Sequence, residues 1–570
     1  MKIVRPERKF VDANLSIDSW EAIEGYYENL VNRDLTTAED FMQWLKDQSE
    51  LEAILEEDAA WRYIKMTIDT RDEDLSKSYT FFVSEIQPKL APFEDQLNKK
   101  LVESEFTKDL ESNSNFFILF RSVRKALELY REENVKIQAE LAEESQKFGA
   151  LSAAQSIDYK GETHTMQKAA LFLKDTDESV RQEVYEKIAT RRRKDFNAFD
   201  NLFAVLIKKR HQVALNAEFA NYRDYKMAAM GRFDYSVKDC ENFHQSVKNV
   251  IVPIVKGFQQ KKLSKLGKEA FKPWDLDVDP EGREPLKPFK EGSELLSGTI
   301  KMFDNIDPYF SDCLATMSKM KHLDLESKPG KSPGGYNYPL YEIGVPFIFM
   351  NAVGSQRDLV TMVHEGGHAI HSFLSRDLEL TGFKSLPSEV AELASMSMEL
   401  LSMEEWDKFY TNEEDFKRSK REQLETTLSL LPWIAQVDEF QHWLYVNHTH
   451  SVEERKEKWN SLSSEYGTGL VDYSGFEDIK SNAWQRQLHI FEVPFYYIEY
   501  GIAQLGALGV WKNSLEDKQS AISKYKAALK LAYTKTIPEI YSTAGIEFNF
   551  SEGHIKKLAD FIQNELEKMS

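Results

Sequence analysis

The stretch Asn351–Phe373, NAVGSQRDLVTMVHEGGHAIHSF, decides how the rest of this chain is read. Its centre is His364-Glu365-Gly366-Gly367-His368, an H-E-x-x-H pattern. On a helix, residues four apart lie on one face, so both imidazoles reach a single metal ion. Glu365 then projects beside them, as a zinc peptidase needs: two neutral nitrogen ligands and a carboxylate base. The two glycines count against an ordinary helix, since each costs about 1 kcal/mol relative to Ala. Something is expected to approach that backbone closely.

A catalytic zinc takes a third protein ligand and keeps one position open. The metzincin continuation fails, because position 371 is His rather than Gly and position 374 is Leu rather than His. The third ligand is therefore sought on another element. Downstream, LPSEVAELASMSMEL begins a helix, with Ser388 expected as its cap. Glu389, Glu392 and Glu399 share roughly one face of it. Carboxylates facing that apolar interior are costly unless paired or metal-bound. Helical pattern by itself leaves Glu389 and Glu392 both open as the ligand. His371, on the face of the HEGGH helix, is expected to support the ligands or meet substrate; a packing histidine is the competing reading.

Near the C-terminus, WQRQLHIFEVPFYYIEYGIAQLGALGVW carries His489, Tyr496, Tyr497 and Tyr500. Tyr497 and Tyr500 are spaced to line one helix face. A phenol or imidazole donor aimed at a developing oxyanion contributes to peptide hydrolysis, although aromatics at this spacing are also common in cores.

Composition bounds the partners. The 570 residues include 94 acidic and 73 basic side chains, a net charge of −21. That excess argues against nucleic acid or an anionic membrane, which need clustered Lys and Arg. The basic run Arg191–Lys194 is read as a solvated helix face. A hydrophobic share of 42% is ample for a packed core. Two cysteines, no signal-peptide core at the N-terminus and no membrane-length apolar window lead to the expectation of a cytoplasmic protein.

Helical periodicity dominates Trp20–Leu151 and returns from Gln356 to the C-terminus. A hairpin is expected at SIDYKGETHTMQ, with Lys160-Gly161 at its turn. One or two long helices come next, capped at Asp175 or Thr176. Loops are expected at Phe271–Lys290, rich in proline, and at Lys328–Gly344. The second loop feeds a strand, VPFIFMN, whose edge is a candidate for pairing with an extended peptide.

HEGGHAIHSF together with the later EVAELASMSME resembles the zinc oligopeptidases of the thimet oligopeptidase and oligoendopeptidase F group. GKSPGGYNYP, FANYRDY, the PWDLD loop and PFYYIEYGIA resemble further recurring phrases of that family. The spacing of eight and eleven residues from His489 to Tyr497 and Tyr500 fits the bacterial branch, oligoendopeptidase F. The resemblance implies a mainly α, two-lobed fold with a small sheet beside the HEGGH helix and a deep substrate channel. It divides the chain into an N-terminal helical lobe, 1–190, and a catalytic domain, 191–570. It implies one zinc per chain held by His364, His368 and Glu392, the Glu of E-x-x-S. Glu399 stands behind the ligands and Glu365 is the general base. His489, Tyr497 and Tyr500 are implied to meet substrate or oxyanion, with Tyr496 competing with Tyr497, and Gly334, Gly335, Tyr336 and His371 as further substrate positions. The implied activity is endopeptidase cleavage of short peptides. The alternatives are an exopeptidase on the same fold and a peptide-binding protein without catalysis. A monomer is the default expectation.

Overall fold

The HEGGH helix, Gln356–Ser375, begins where local chemistry dictates. Ser355 caps it by accepting from Asp358 N, and the Asp358 carboxylate accepts from Ser355 N in return. Its apolar positions, among them Leu359, Met362, Val363, Ile370 and Phe373, are buried. The computed structural model of the protein describes every residue except 112, 333 and 570; Pro333, inside the Lys328–Gly344 loop, therefore lies outside the described residues.

The glycines have the expected cause. A Cβ on Gly367 would lie 2.7 Å from both Ala394 O and Ser395 Cα. These atoms belong to a second helix, Ser388–Leu401, whose backbone packs directly on the HEGGH helix. A Cβ on Gly366 would meet the Phe303 ring at 2.8 Å. The close approach lets short Glu side chains on one helix reach imidazoles on the other. Pro387, not Ser388, is the N-cap residue of the second helix, and Ser388 occupies its first turn with no capping hydrogen bond.

The sheet beside the HEGGH helix has three strands. Phe347–Ala352 is central, parallel to Leu323–Glu326 and antiparallel to Tyr336–Tyr338. The expected VPFIFMN strand is present, but both its edges are occupied, so an extended peptide cannot pair with it. The outer strand Tyr336–Tyr338 has no further strand on its far side among the described residues. The hairpin pairs Ser156–Tyr159 with Glu162–Thr165. Lys160 and Gly161, at φ 51° and 82°, supply the two left-handed residues of a tight turn. The next two long helices are Glu178–Arg193, capped by Asp177 rather than by Asp175 or Thr176, and Phe196–Asn216. In the basic run, Arg193 pairs with Asp478 at 2.6 Å and Arg191 with Asp195.

The chain forms two compact units, each assembled from three segments. The first comprises 1–128, 286–419 and 503–548, and the second 129–285, 420–502 and 549–570. The sequence-based division at residue 190 does not coincide with these units. In the first unit, Trp44, Phe41, Ile54 and Phe116 of the N-terminal helices share a core with Leu380 and Phe383, between the HEGGH helix and its partner. Each large apolar side chain so buried contributes about 1.5–3 kcal/mol, which ties the N-terminal helices to the HEGGH segment. From the same unit's C-terminal segment, Tyr525 Oη donates to Ala394 O at 2.7 Å and Tyr541 Oη to Glu389 O at 3.1 Å. These phenols hold the Ser388–Leu401 helix from behind. In the second unit, buried Arg181 pairs with Asp275 of the PWDLD loop at 2.8 Å. Both cysteines are buried and free. No helix among the described residues is long and apolar enough to cross a membrane.

Candidate metal centre

His364 and His368 present their rings from successive turns, with centroids 5.0 Å apart. Glu392 faces them from the packed helix. Its Oε2 lies 3.4 Å from His364 Nε2 and 3.8 Å from His368 Nε2. One ligand atom from each of the three lies within 4.8 Å of the others. Zinc ligands at about 2.0–2.3 Å from a tetrahedral ion stand roughly 3.3–3.8 Å apart, so this donor set fits one ion with little movement.

Two of the three candidate ligands are held by a further contact. Ser395 Oγ donates to Glu392 Oε2 at 3.0 Å, which accounts physically for the Ser of E-x-x-S. His364 Nδ1 donates to Glu399 Oε1 at 2.7 Å, leaving Nε2 directed at the ligand cluster. The two imidazole side chains are 21% and 20% exposed, so the centre is reachable from solvent. Glu389, the alternative ligand, is buried and does not belong to the cluster.

The electrostatics also call for a cation. Glu365, Glu392 and Glu399 place three carboxylates around two imidazoles. Burial pushes the Glu365 carboxyl up to about 7, with Glu392 and Glu399 adding to the rise against the opposing effect of His364. Burial works against the charge on His364, but its hydrogen bond to Glu399 and the nearby carboxylates raise its pKa to about 10. A bound cation would offset the excess of carboxylates in this cluster.

His371 is 1% exposed. Burial lowers its pKa to about 3. That position favours the packing reading and does not fit contact with substrate. Gly334, at φ 101°, and Gly335 lead into the outer strand. Tyr336 stacks on Phe349 at 4.8 Å and shares a 2.6 Å hydrogen bond with Thr67 Oγ1. Sequence reasoning passed over Asn337, whose Nδ2 donates to the Glu365 carbonyl at 3.4 Å. Nothing in its spacing signals that contact.

His489, Tyr496, Tyr497 and Tyr500 form a second cluster, in the second unit. The His489 ring lies 5.8, 4.9 and 5.8 Å from the three tyrosine rings in that order. His489 Nε2 is 3.4 Å from Tyr500 Oη, and its Nδ1 is 2.6 Å from Gln487 Nε2. Trp433 Nε1 donates to Tyr497 Oη at 3.2 Å, and burial raises the Tyr497 pKa. Tyr497 opens its helix, whereas Tyr496 lies in the turn before it.

A helical fold with a two-His, one-Glu centre beside a small sheet defines a class of metallopeptidase. The chain belongs to peptidase family M3, whose model matches residues 171–560, with the M3 N-terminal domain matching residues 10–130. It is a metalloendopeptidase. An oligoendopeptidase F homolog of Borreliella burgdorferi is 23% identical over 91% of this chain and 89% of its own. A solved structure of PZ peptidase A with an inhibitor superposes at a TM-score of 0.90, with 27% identity, covering 99% of this chain and 100% of that one. A crystal structure described as a putative oligoendopeptidase F from Bacillus anthracis gives 0.86, with 25% identity and 98% of both chains covered. The likeness reaches into the N-terminal residues.

Proposed function

We propose that this metallopeptidase is a cytoplasmic zinc oligoendopeptidase that hydrolyses short peptides, with Glu365 as the general base. The observation that carries the reading is the convergence of His364, His368 and Glu392 within 4.8 Å, with Glu365 between the two histidines on one helix. Those three residues would hold the ion, and Glu399 and Ser395 fix their orientation. Bound zinc supplies a Lewis acid that acidifies water and polarises a carbonyl. Glu365 accepts a proton from the attacking water and returns it to the leaving amine. His489, Tyr497 and Tyr500 are assigned to substrate and to donation toward the developing oxyanion. Because Trp433 donates to Tyr497 Oη, the phenol proton is left for another acceptor. Tyr496 remains a second aromatic contact for the peptide. The free edge of Tyr336–Tyr338, rather than VPFIFMN, offers backbone groups for an extended chain. The relatives named oligoendopeptidase F support endopeptidase cleavage over the exopeptidase and binding-only readings.

The test pairs metal content with cleavage. Purified protein is expected to carry zinc and to cleave an N- and C-terminally blocked quenched peptide in a chelator-sensitive manner. Glu365→Gln is expected to keep the metal and lose cleavage. Wild-type cleavage by that variant would overturn the assignment of the base.

A further inference from the structure

A second set of ligand-type side chains lies wholly within the second unit. Cys240 and His244 stand four apart on the helix Val237–Ser246. Asp438 and His442 stand four apart near the C-terminal end of the helix Glu413–Val446. Four-residue spacing puts each pair on one helical face. The faces meet, and one ligand atom each from Cys240, Asp438 and His442 lies within 4.8 Å of the others. All four residues are buried, Asp438 completely.

The polar accounting inside this cluster is incomplete. His244 Nε2 lies 2.8 Å from Asp438 Oδ2 and holds that oxygen. Asp438 Oδ1 has no hydrogen-bond partner, nor has either ring nitrogen of His442. His442 Nε2 is 3.2 Å from Asp438 Oδ2, the oxygen that His244 already holds. Buried polar atoms without partners are uncommon, and each costs about 1–3 kcal/mol. Here the Asp438 carboxylate and the His442 ring that carry them lie beside a thiol, on two helices that already hold them in place.

We propose that Cys240, Asp438 and His442 bind a second divalent cation of the zinc type, structural rather than catalytic. A thiolate, an imidazole and a carboxylate form a ligand set that zinc accepts and that magnesium or calcium would not select. On binding, the Cys240 thiol loses its proton to solvent and a sulfur–metal bond forms. The thiolate and the Asp438 carboxylate then balance the two positive charges. His244 orients Asp438 as Glu399 orients His364, standing behind the ligand. The ion would cross-link the two helices beneath a strained turn. Phe495, at φ 70°, packs its ring 5.4 Å from that of His442, and its N–H donates to Gln441 Oε1 at 2.8 Å. Its carbonyl accepts from Arg232, which is ion-paired to Glu499 at 2.9 Å. That turn starts the helix carrying Tyr497 and Tyr500. The second ion therefore braces the tyrosine segment from below, and the chain holds two zinc ions rather than the one expected from the sequence.

The thiolate makes the site spectroscopically separable from the HEGGH centre, which has only nitrogen and oxygen ligands. Metal-free full-length protein is titrated with cobalt(II) chloride and followed by absorbance, and zinc per chain is measured by mass spectrometry. Two equivalents are expected, with an intense near-ultraviolet thiolate-to-cobalt band. His368→Ala should retain the band and one equivalent, whereas Cys240→Ser should lose the band and keep the HEGGH equivalent. The wild-type spectrum needs no variant to fold. A single equivalent in the wild type, with no charge-transfer band at saturating cobalt, overturns the proposal.

Discussion

His364 Nδ1 donates to Glu399 Oε1 at 2.7 Å, across the contact between the HEGGH helix and its partner. This bond sets the tautomer and the ring plane of a metal ligand from a residue that does not belong to the ligand cluster. Removing it frees the ring to rotate. Glu399→Ala is expected to weaken zinc binding by about 10–100-fold, the usual cost of losing such an orienting partner. Competition with a chromogenic zinc chelator measures it. Unchanged affinity would show that packing alone positions His364.

Glu365→Gln keeps the shape of the side chain and removes its basicity. Peptide cleavage is expected to fall by at least about 10²–10⁴-fold, the range for a lost general acid–base group. Zinc content should stay at the wild-type level. A loss of metal together with activity would mean that Glu365 supports the ligands instead.

The paired glycines are predicted to behave differently from each other. Alanine gains about 1 kcal/mol of helix propensity at either site. At Gly366 the obstacle is the tip of the Phe303 ring, which can move, so Gly366→Ala should be nearly neutral in stability. At Gly367 the obstacle is the backbone of Ala394 and Ser395, which cannot yield without parting the helices. Gly367→Ala is expected to destabilise by about 1–3 kcal/mol, as overpacking does, and to weaken zinc binding through the displaced Glu392. Denaturant melts and zinc titration of the two variants check this. Equal behaviour would refute the close-contact explanation.

A pH effect is expected far from the metal. Burial pushes the Glu52 carboxyl up to about 7, with Glu94 and Glu56 adding to the rise and the hydrogen bond from Gln48 opposing it. The folded state therefore holds this proton more tightly than the unfolded chain. Its stabilising contribution is complete below the ordinary carboxylate value and is lost as pH rises toward 7. Glu52→Gln should raise Tm at pH 8 and converge on the wild type near pH 4.5. A Tm difference that does not depend on pH would exclude the mechanism.

The legible parts of the sequence were those set by local rules. The hairpin turn at Lys160-Gly161 needs two left-handed residues, and the chain supplies a dipeptide that tolerates them. The HEGGH helix is readable from four-residue spacing. The strand VPFIFMN was legible as a strand, but not as the centre of its sheet, because partners on both edges come from elsewhere in the chain. His371 looked available for substrate on a helical wheel. The wheel does not show the C-terminal segment that buries it.

Sequence by itself determined that two imidazoles and a carboxylate lie close together on one helix, because their spacing is a local property. It also determined that something must approach Gly366 and Gly367. Only the tertiary structure decided which backbone approaches and which carboxylate it delivers. Glu392 joins the two imidazoles and Glu389 does not, because the helices cross at Ala394–Ser395 and one of the two carboxylates is carried to them. Likewise, C-x-x-x-H and D-x-x-x-H are ordinary patterns when apart, nearly two hundred residues distant in sequence. Folding brings Cys240 and Asp438 together in one buried cluster, since contact between remote helices depends on global packing rather than on any local pattern.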